Sequence, residues 1–133
     1  MARQGNFRIR LKLPEPRYWI AFPKELFGRG DTILLGAHNI IRSPKYISVL
    51  LHLRGPKAKQ QFDSLYHEKN QIEKEIGARL DWRRDRAVKY SEIVLEFSNV
   101  DPEDERDWSR QHDWLKEKLE AYYKVFAPRI GRL

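Results

Sequence analysis

The chain has no cysteine in its 133 residues. Disulfides and thiolate metal sites are therefore excluded, and the composition fits a reducing, cytoplasmic location. No run of 18 apolar residues occurs, so no membrane span is expected. The opening Met1-Ala2-Arg3-Gln4-Gly5-Asn6 lacks the apolar centre of a signal peptide. Acid is scarce in the first half. Residues 1–60 carry 12 Lys/Arg against 3 Asp/Glu, a balance of +9, whereas residues 61–133 carry 14 against 16, a balance of −2. The net charge of +7 is thus concentrated in one half, which would attract polyanions. A 41% apolar content with 12% aromatics supports a packed core, and the length fits one domain, residues 1–133.

Local patterns divide the chain into strands over about 7–53, a helix over about 56–76, strands over about 80–97 and a helix over about 103–127. Phe7, Ile9, Leu11 and Leu13 alternate with Arg8, Arg10 and Lys12, a half-buried strand with a basic outer face that ends at Pro14. Tyr18–Phe22 reads as a second strand, Pro23–Asp31 as a loop and Thr32–His38 as a third strand. After a turn at Arg42-Ser43-Pro44-Lys45, the alternation of Ile47, Val49, Leu51 and Leu53 is the most regular in the chain. Phe62, Leu65, Tyr66, Lys69, Ile72 and Ile76 follow helical spacing, with Pro56 at the start and Gly77 at the end. Leu80–Trp82 predicts a short strand, Arg83–Arg86 a charged turn, and Ile93, Leu95 and Phe97 another strand. Trp108, His112, Leu115, Leu119, Tyr122 and Phe126 lie on one face of a long helix, which enters at Asp101 or Ser109 and stops before Pro128.

The expected fold is α+β: an antiparallel sheet of about five to six strands with two long helices packed on one face, leaving the other face free. Ile47, Val49, Leu51 and Leu53 should point toward the helices.

The motifs of several enzyme classes are missing. There is no Gly-x-Ser-x-Gly turn for a serine hydrolase and no phosphate-cradling Gly-x-x-x-x-Gly-Lys-Ser/Thr. His38, His52, His67 and His112 form no helical i,i+4 pair, so zinc is not indicated. His38 and His52 are expected on strand faces and His112 in the helix–sheet seam. Glu92 and Glu96 share a strand face near Asp85, but that strand lacks the lysine a metal-dependent nuclease usually adds, so the pair reads as a solvated face. No catalytic residue, metal or cofactor is expected. The positive signal is basic: Arg8, Arg10, Lys12 and Arg17 beside Tyr18 and Trp19, then Arg42 and Lys45, then Arg54, Lys57 and Lys59. Rows of cations suit phosphates, and exposed rings suit unpaired bases.

Asp107-Trp108, Gln111-His112-Asp113-Trp114-Leu115, Lys118-Leu119-Glu120 and Phe126-Ala127-Pro128-Arg129 together resemble the domain of unknown function 4268 family of bacteria and archaea. A fainter likeness runs from Ala58 to Trp82. The resemblance implies a module that often follows a nuclease-like domain in restriction or defence settings, with no catalytic residues to carry over. The expectation is a non-enzymatic module that binds DNA or RNA, or assists a nuclease-like partner, through Arg8, Arg10, Lys12, Arg17, Arg42 and Lys45. The alternative is a protein–protein interaction or dimerisation domain that uses the sheet face or the long helix. Oligomeric state is left open.

Overall fold

The computed structural model describes residues 33–84 and 90–133, together with the backbone of residues 19–21. The strand expected over 7–13 and the loop over 23–31 lie outside the described residues. In chain order the elements are β1 (Trp19–Ala21), β2 (Ile33–Ile40), β3 (Tyr46–Arg54), α1 (Ala58–Tyr66), α2 (Lys69–Ile76), β4 (Asp81–Arg84), β5 (Tyr90–Ser98), a 3₁₀ turn (Glu105–Asp107) and α3 (Trp108–Ile130). The sheet order is β1-β2-β3-β5-β4, and every pairing is antiparallel. The expectation of five to six strands and two long helices is too large. Among the described residues four strands form the body of the sheet, the three-residue β1 adds an edge, and one of the three helices is long.

β3 is the centre of the fold. Ile47, Val49, Leu51 and Leu53 are fully buried on the face that the helices cover. Register places Leu35 opposite Leu51, Ala37 opposite Val49 and Ile93 opposite Leu51, so one apolar surface runs across three strands. α3 lies over β2 and β3, while α1 lies over β3, β5 and β4.

The single helix expected over 56–76 is broken at His67 and Glu68, although the stretch contains no proline or glycine between Lys57 and Ile76. The Glu68 amide reaches back only three residues, to Leu65 O at 2.9 Å. The reason is division of labour. α1 buries Ala58, Phe62 and Leu65 against the sheet, whereas α2 buries Ile72 and Ile76 and packs on α3, and one straight helix could not face both partners. α2 ends where expected, at Gly77 with φ 84°. Its amide and that of Ala78 both donate to Glu73 O, and glycine is the residue that takes this left-handed conformation at little cost.

Two further boundaries differ from the sequence reading. Arg83 and Arg84, expected in a turn, belong to β4, whose Arg83 lies opposite Glu92. α3 does not stop before Pro128 but runs through it to Ile130, which is fully buried and holds the last turn on the core. The buried stripe also differs from the expectation near the start of α3. Gln111 is 2% exposed and donates to Asp101 O at 2.8 Å and to Asp107 Oδ2 at 3.0 Å. Trp108 and His112, expected on the buried stripe, are only half-buried and stack on each other, with Trp108 Nε1 donating to Pro102 O. Asp101 is not the cap of α3. Its carboxylate accepts from the Glu103 amide, and Asp104 accepts from the Arg106 amide at the head of the 3₁₀ turn.

At that entry Arg110 donates twice to Asp107, at 2.6 and 2.7 Å. With Arg110 first and Gln111 second as donors, the Asp107 carboxyl is held at about 2, below its ordinary 3.8. A carboxyl lowered by folding contributes stability that is complete above 3.8 and is lost as pH falls through about 2. A side-chain NMR titration should therefore find a midpoint near 2, and Arg110→Gln should move it back toward 3.8.

Candidate nucleic-acid interface

The basic residues singled out in the sequence do not form one group. Arg8, Arg10, Lys12 and Arg17 lie outside the described residues. Arg42 and Lys45 sit in the β2–β3 turn, which holds the cis Ser43–Pro44 peptide. Arg42 is exposed and makes no ion pair among the described residues. Lys45 donates to Asp101 Oδ2 at 3.2 Å, an exposed pair of the kind that contributes little to stability. Arg54, Lys57 and Lys59 stand at the opposite end of β3, about 30 Å away for nine residues of strand. There Lys59 donates to Tyr90 O and Ser91 Oγ, both at 3.2 Å. An apolar hollow of about 550 Å³ opens beside it, lined by Arg54, Gly55, Pro56, Ala58 and Lys59.

The sheet face away from the helices joins these two ends, and it is not the free surface expected. Leu50 is 1% exposed, Ser48 2% and Val94 3%. Several polar groups on this face bond one another. His52 Nδ1 lies 2.9 Å from Glu92 Oε2 and donates to it, and the His52 ring stacks on Tyr90 at 4.8 Å. Arg83 bonds Glu96 at 3.0 Å and Asp81 at 2.6 Å. Glu92, read as solvated, is thus an internal partner. His38, on the same face, has its pKa lowered mainly by burial, with Glu92 opposing and His52 and Arg83 adding to the effect.

This cluster resembles the orienting half of a hydrolytic triad, but Ser48, the serine on the same strand, is out of reach as a third member. Ser48 is four residues from His52 along one strand, about 13 Å. Among the described residues no three His, Asp or Glu side chains converge as metal ligands.

A second crevice, of about 390 Å³, lies between α1 and the end of α3 and includes Lys57, Gln60, Arg129 and Arg132. Its central cation is committed to the fold. Arg129 donates to Glu68 at 2.9 Å, to both Glu75 oxygens at 3.1 Å and to Val125 O at 2.8 Å, tying the end of α3 to α2.

These features define a small α+β domain with one apolar helix-covered sheet face and one mixed face of buried apolar and paired polar residues, and with cations at both ends of its central strand. The chain belongs to the DUF4268 family, a domain of unknown function, whose model matches residues 6–130. No curated protein and no solved structure matches it. Among the described residues no helix is long and apolar enough to cross a membrane.

The sequence missed the His52–Glu92–Tyr90 cluster. His52 is 38 residues from Tyr90 and 40 from Glu92, and the β3–β5 register brings them together.

Proposed function

We propose that this chain is a non-enzymatic nucleic-acid-binding module, acting alone or beside a nuclease-type partner. The observation that carries the reading is the charge asymmetry, +9 over residues 1–60 against −2 over residues 61–133. The basic half supplies Arg8, Arg10, Lys12, Arg17, Arg42 and Lys45 as phosphate contacts, and such contacts read the backbone and not the sequence. The exposure of Arg42 at a turn supports this. Affinity should be roughly micromolar or poorer at physiological salt, with little sequence preference.

The test is salt dependence. Each phosphate contact on duplex DNA contributes a slope near −0.9 in log K against log salt. Replacing Arg8, Arg10 and Lys12 together by glutamine should flatten the slope by about 2–3 units with little change in melting temperature. Replacing Lys116, Lys118 and Lys124 on α3 is the control, because that half already carries compensating acids. Equal weakening by both sets would reduce the attraction to generic charge and remove the N-terminal site. No binding even at low salt would favour a protein–protein interaction domain instead.

A further inference from the structure

We propose that Tyr90 is a stacking platform for an unpaired base, which makes single-stranded nucleic acid the ligand of the Arg54–Lys59 end of the sheet. This inference rests on the nucleic-acid reading above and narrows it. Among the described residues only Tyr66 and Tyr90 are large apolar side chains with high exposure, at 48% and 39%. They differ in surroundings. Tyr66 packs edge-on against Trp82, close to Phe62 and beneath Lys69, on a helix whose neighbouring Asp63 is already bound to Arg84. Tyr90 instead stands among cations. Arg54 is its direct cross-strand partner, the Lys59 ammonium is bonded to its carbonyl, and Lys57 is exposed at the head of α1 without an ion pair among the described residues.

The ring is also held in place. His52 stacks on it at 4.8 Å with an interplanar angle of 29°, and Glu92 fixes the His52 ring through the 2.9 Å hydrogen bond. The Glu92 carboxylate is engaged with the imidazole through that bond. A base docking on Tyr90 would extend an existing stack and would not need to order a mobile side chain, so little conformational entropy is lost. The apolar hollow at Gly55 and Pro56 adjoins this edge, and Lys57, exposed at the head of α1, can follow the phosphates beside the base. A duplex keeps its base faces stacked inside and offers Tyr90 nothing to cover.

The experiment measures anisotropy of a fluorescein-labelled 20-nucleotide single strand and of the matching duplex with the full chain, its Tyr90→Ala, Tyr90→Phe and Lys57→Gln variants, and the Arg8/Arg10/Lys12→Gln triple. Tyr90→Ala should weaken single-strand binding about 5- to 100-fold, the range expected for one lost base–aromatic stack, and change duplex binding less than about twofold. Tyr90→Phe should bind like the parent. Lys57→Gln should reduce the single-strand salt slope by about 0.7. Melting curves of the variants confirm that they are folded. If Tyr90→Ala leaves single-strand binding intact, or weakens both ligands equally, the stacking site is wrong. If the N-terminal triple variant still flattens the salt slope in that case, the broader nucleic-acid reading survives. If the parent chain binds neither ligand at low salt, both fall together.

Discussion

Phe126→Ala should destabilise the domain by about 3–5 kcal/mol. Phe126 is completely buried in the C-terminal part of the α3 face, its ring 5.2 Å from that of Tyr122, in the same core as Leu115, Leu119 and Ile130. α3 spans the β2–β3 half of the sheet, so the cavity would open between the longest helix and the central strand. A side chain at an element's edge could relax into the space. Here α3 packs on β3, whose Ile47, Val49, Leu51 and Leu53 are fully buried in the same core and whose backbone is paired to both β2 and β5. Chemical denaturation of parent and variant should show a lower midpoint at an unchanged m-value. A loss below about 1 kcal/mol would mean that α3 is not the main lid of the core.

Glu73→Ala should cost about 1.5–3 kcal/mol, far more than a half-exposed glutamate normally contributes. Its Oε2 accepts from the Leu80 amide and from Trp82 Nε1, both at 3.0 Å. One carboxylate oxygen therefore fastens the last turn of α2 to the start of β4. The hydrogen bonds hold the carboxyl below its ordinary value, although burial, the largest single influence, pushes the other way. Without it, a partly buried indole N–H and an adjoining backbone N–H lose their acceptor. Glu73→Gln keeps a carbonyl oxygen that can serve the same donors, so it should recover most of the loss. Equal destabilisation by both variants would show that charge matters and not acceptor geometry.

Much of the scaffold could be read from local pattern because local pattern decides it. The alternation of Ile47, Val49, Leu51 and Leu53 has one physical solution, a strand with its apolar face on the core, and that is where they lie. Gly77 ends α2 for the reason its sequence position suggested. The failures share a different cause. The break at His67–Glu68 follows from two helical segments having two partners, which no local signal encodes. Pro128 stays in α3 because Ile130 beyond it is buried, a tertiary gain that outweighs a missing hydrogen bond close to the helix end. Trp108 looked like core because of its spacing, yet its polar edge reaches Pro102 and Gln111 takes the buried position.

The candidate site was less legible. Basic residues were visible as a count, but their grouping depends on strand length. β3 puts Arg42 and Lys45 at one end and Arg54 and Lys59 at the other. The mixed face was misread because Ser48, His52 and Glu92 are residue types that usually face water. Only register shows that His52 meets Glu92 directly across the β3–β5 pair.

The fastening of α3 at both ends has a consequence for how the domain opens. Gln111 and Trp108 anchor its start to the Asp101–Pro102 backbone, and Arg129 anchors its finish to Glu68 and Glu75 of α1–α2. A helix tethered at one end can fray from the other in single turns, each costing only a fraction of the total stability. Tethered at both, α3 has no loose end from which to peel. Its release then coincides with loss of the whole core, and the lowest-energy excursions fall to segments outside this girder, the four-residue edge strand β4 among them.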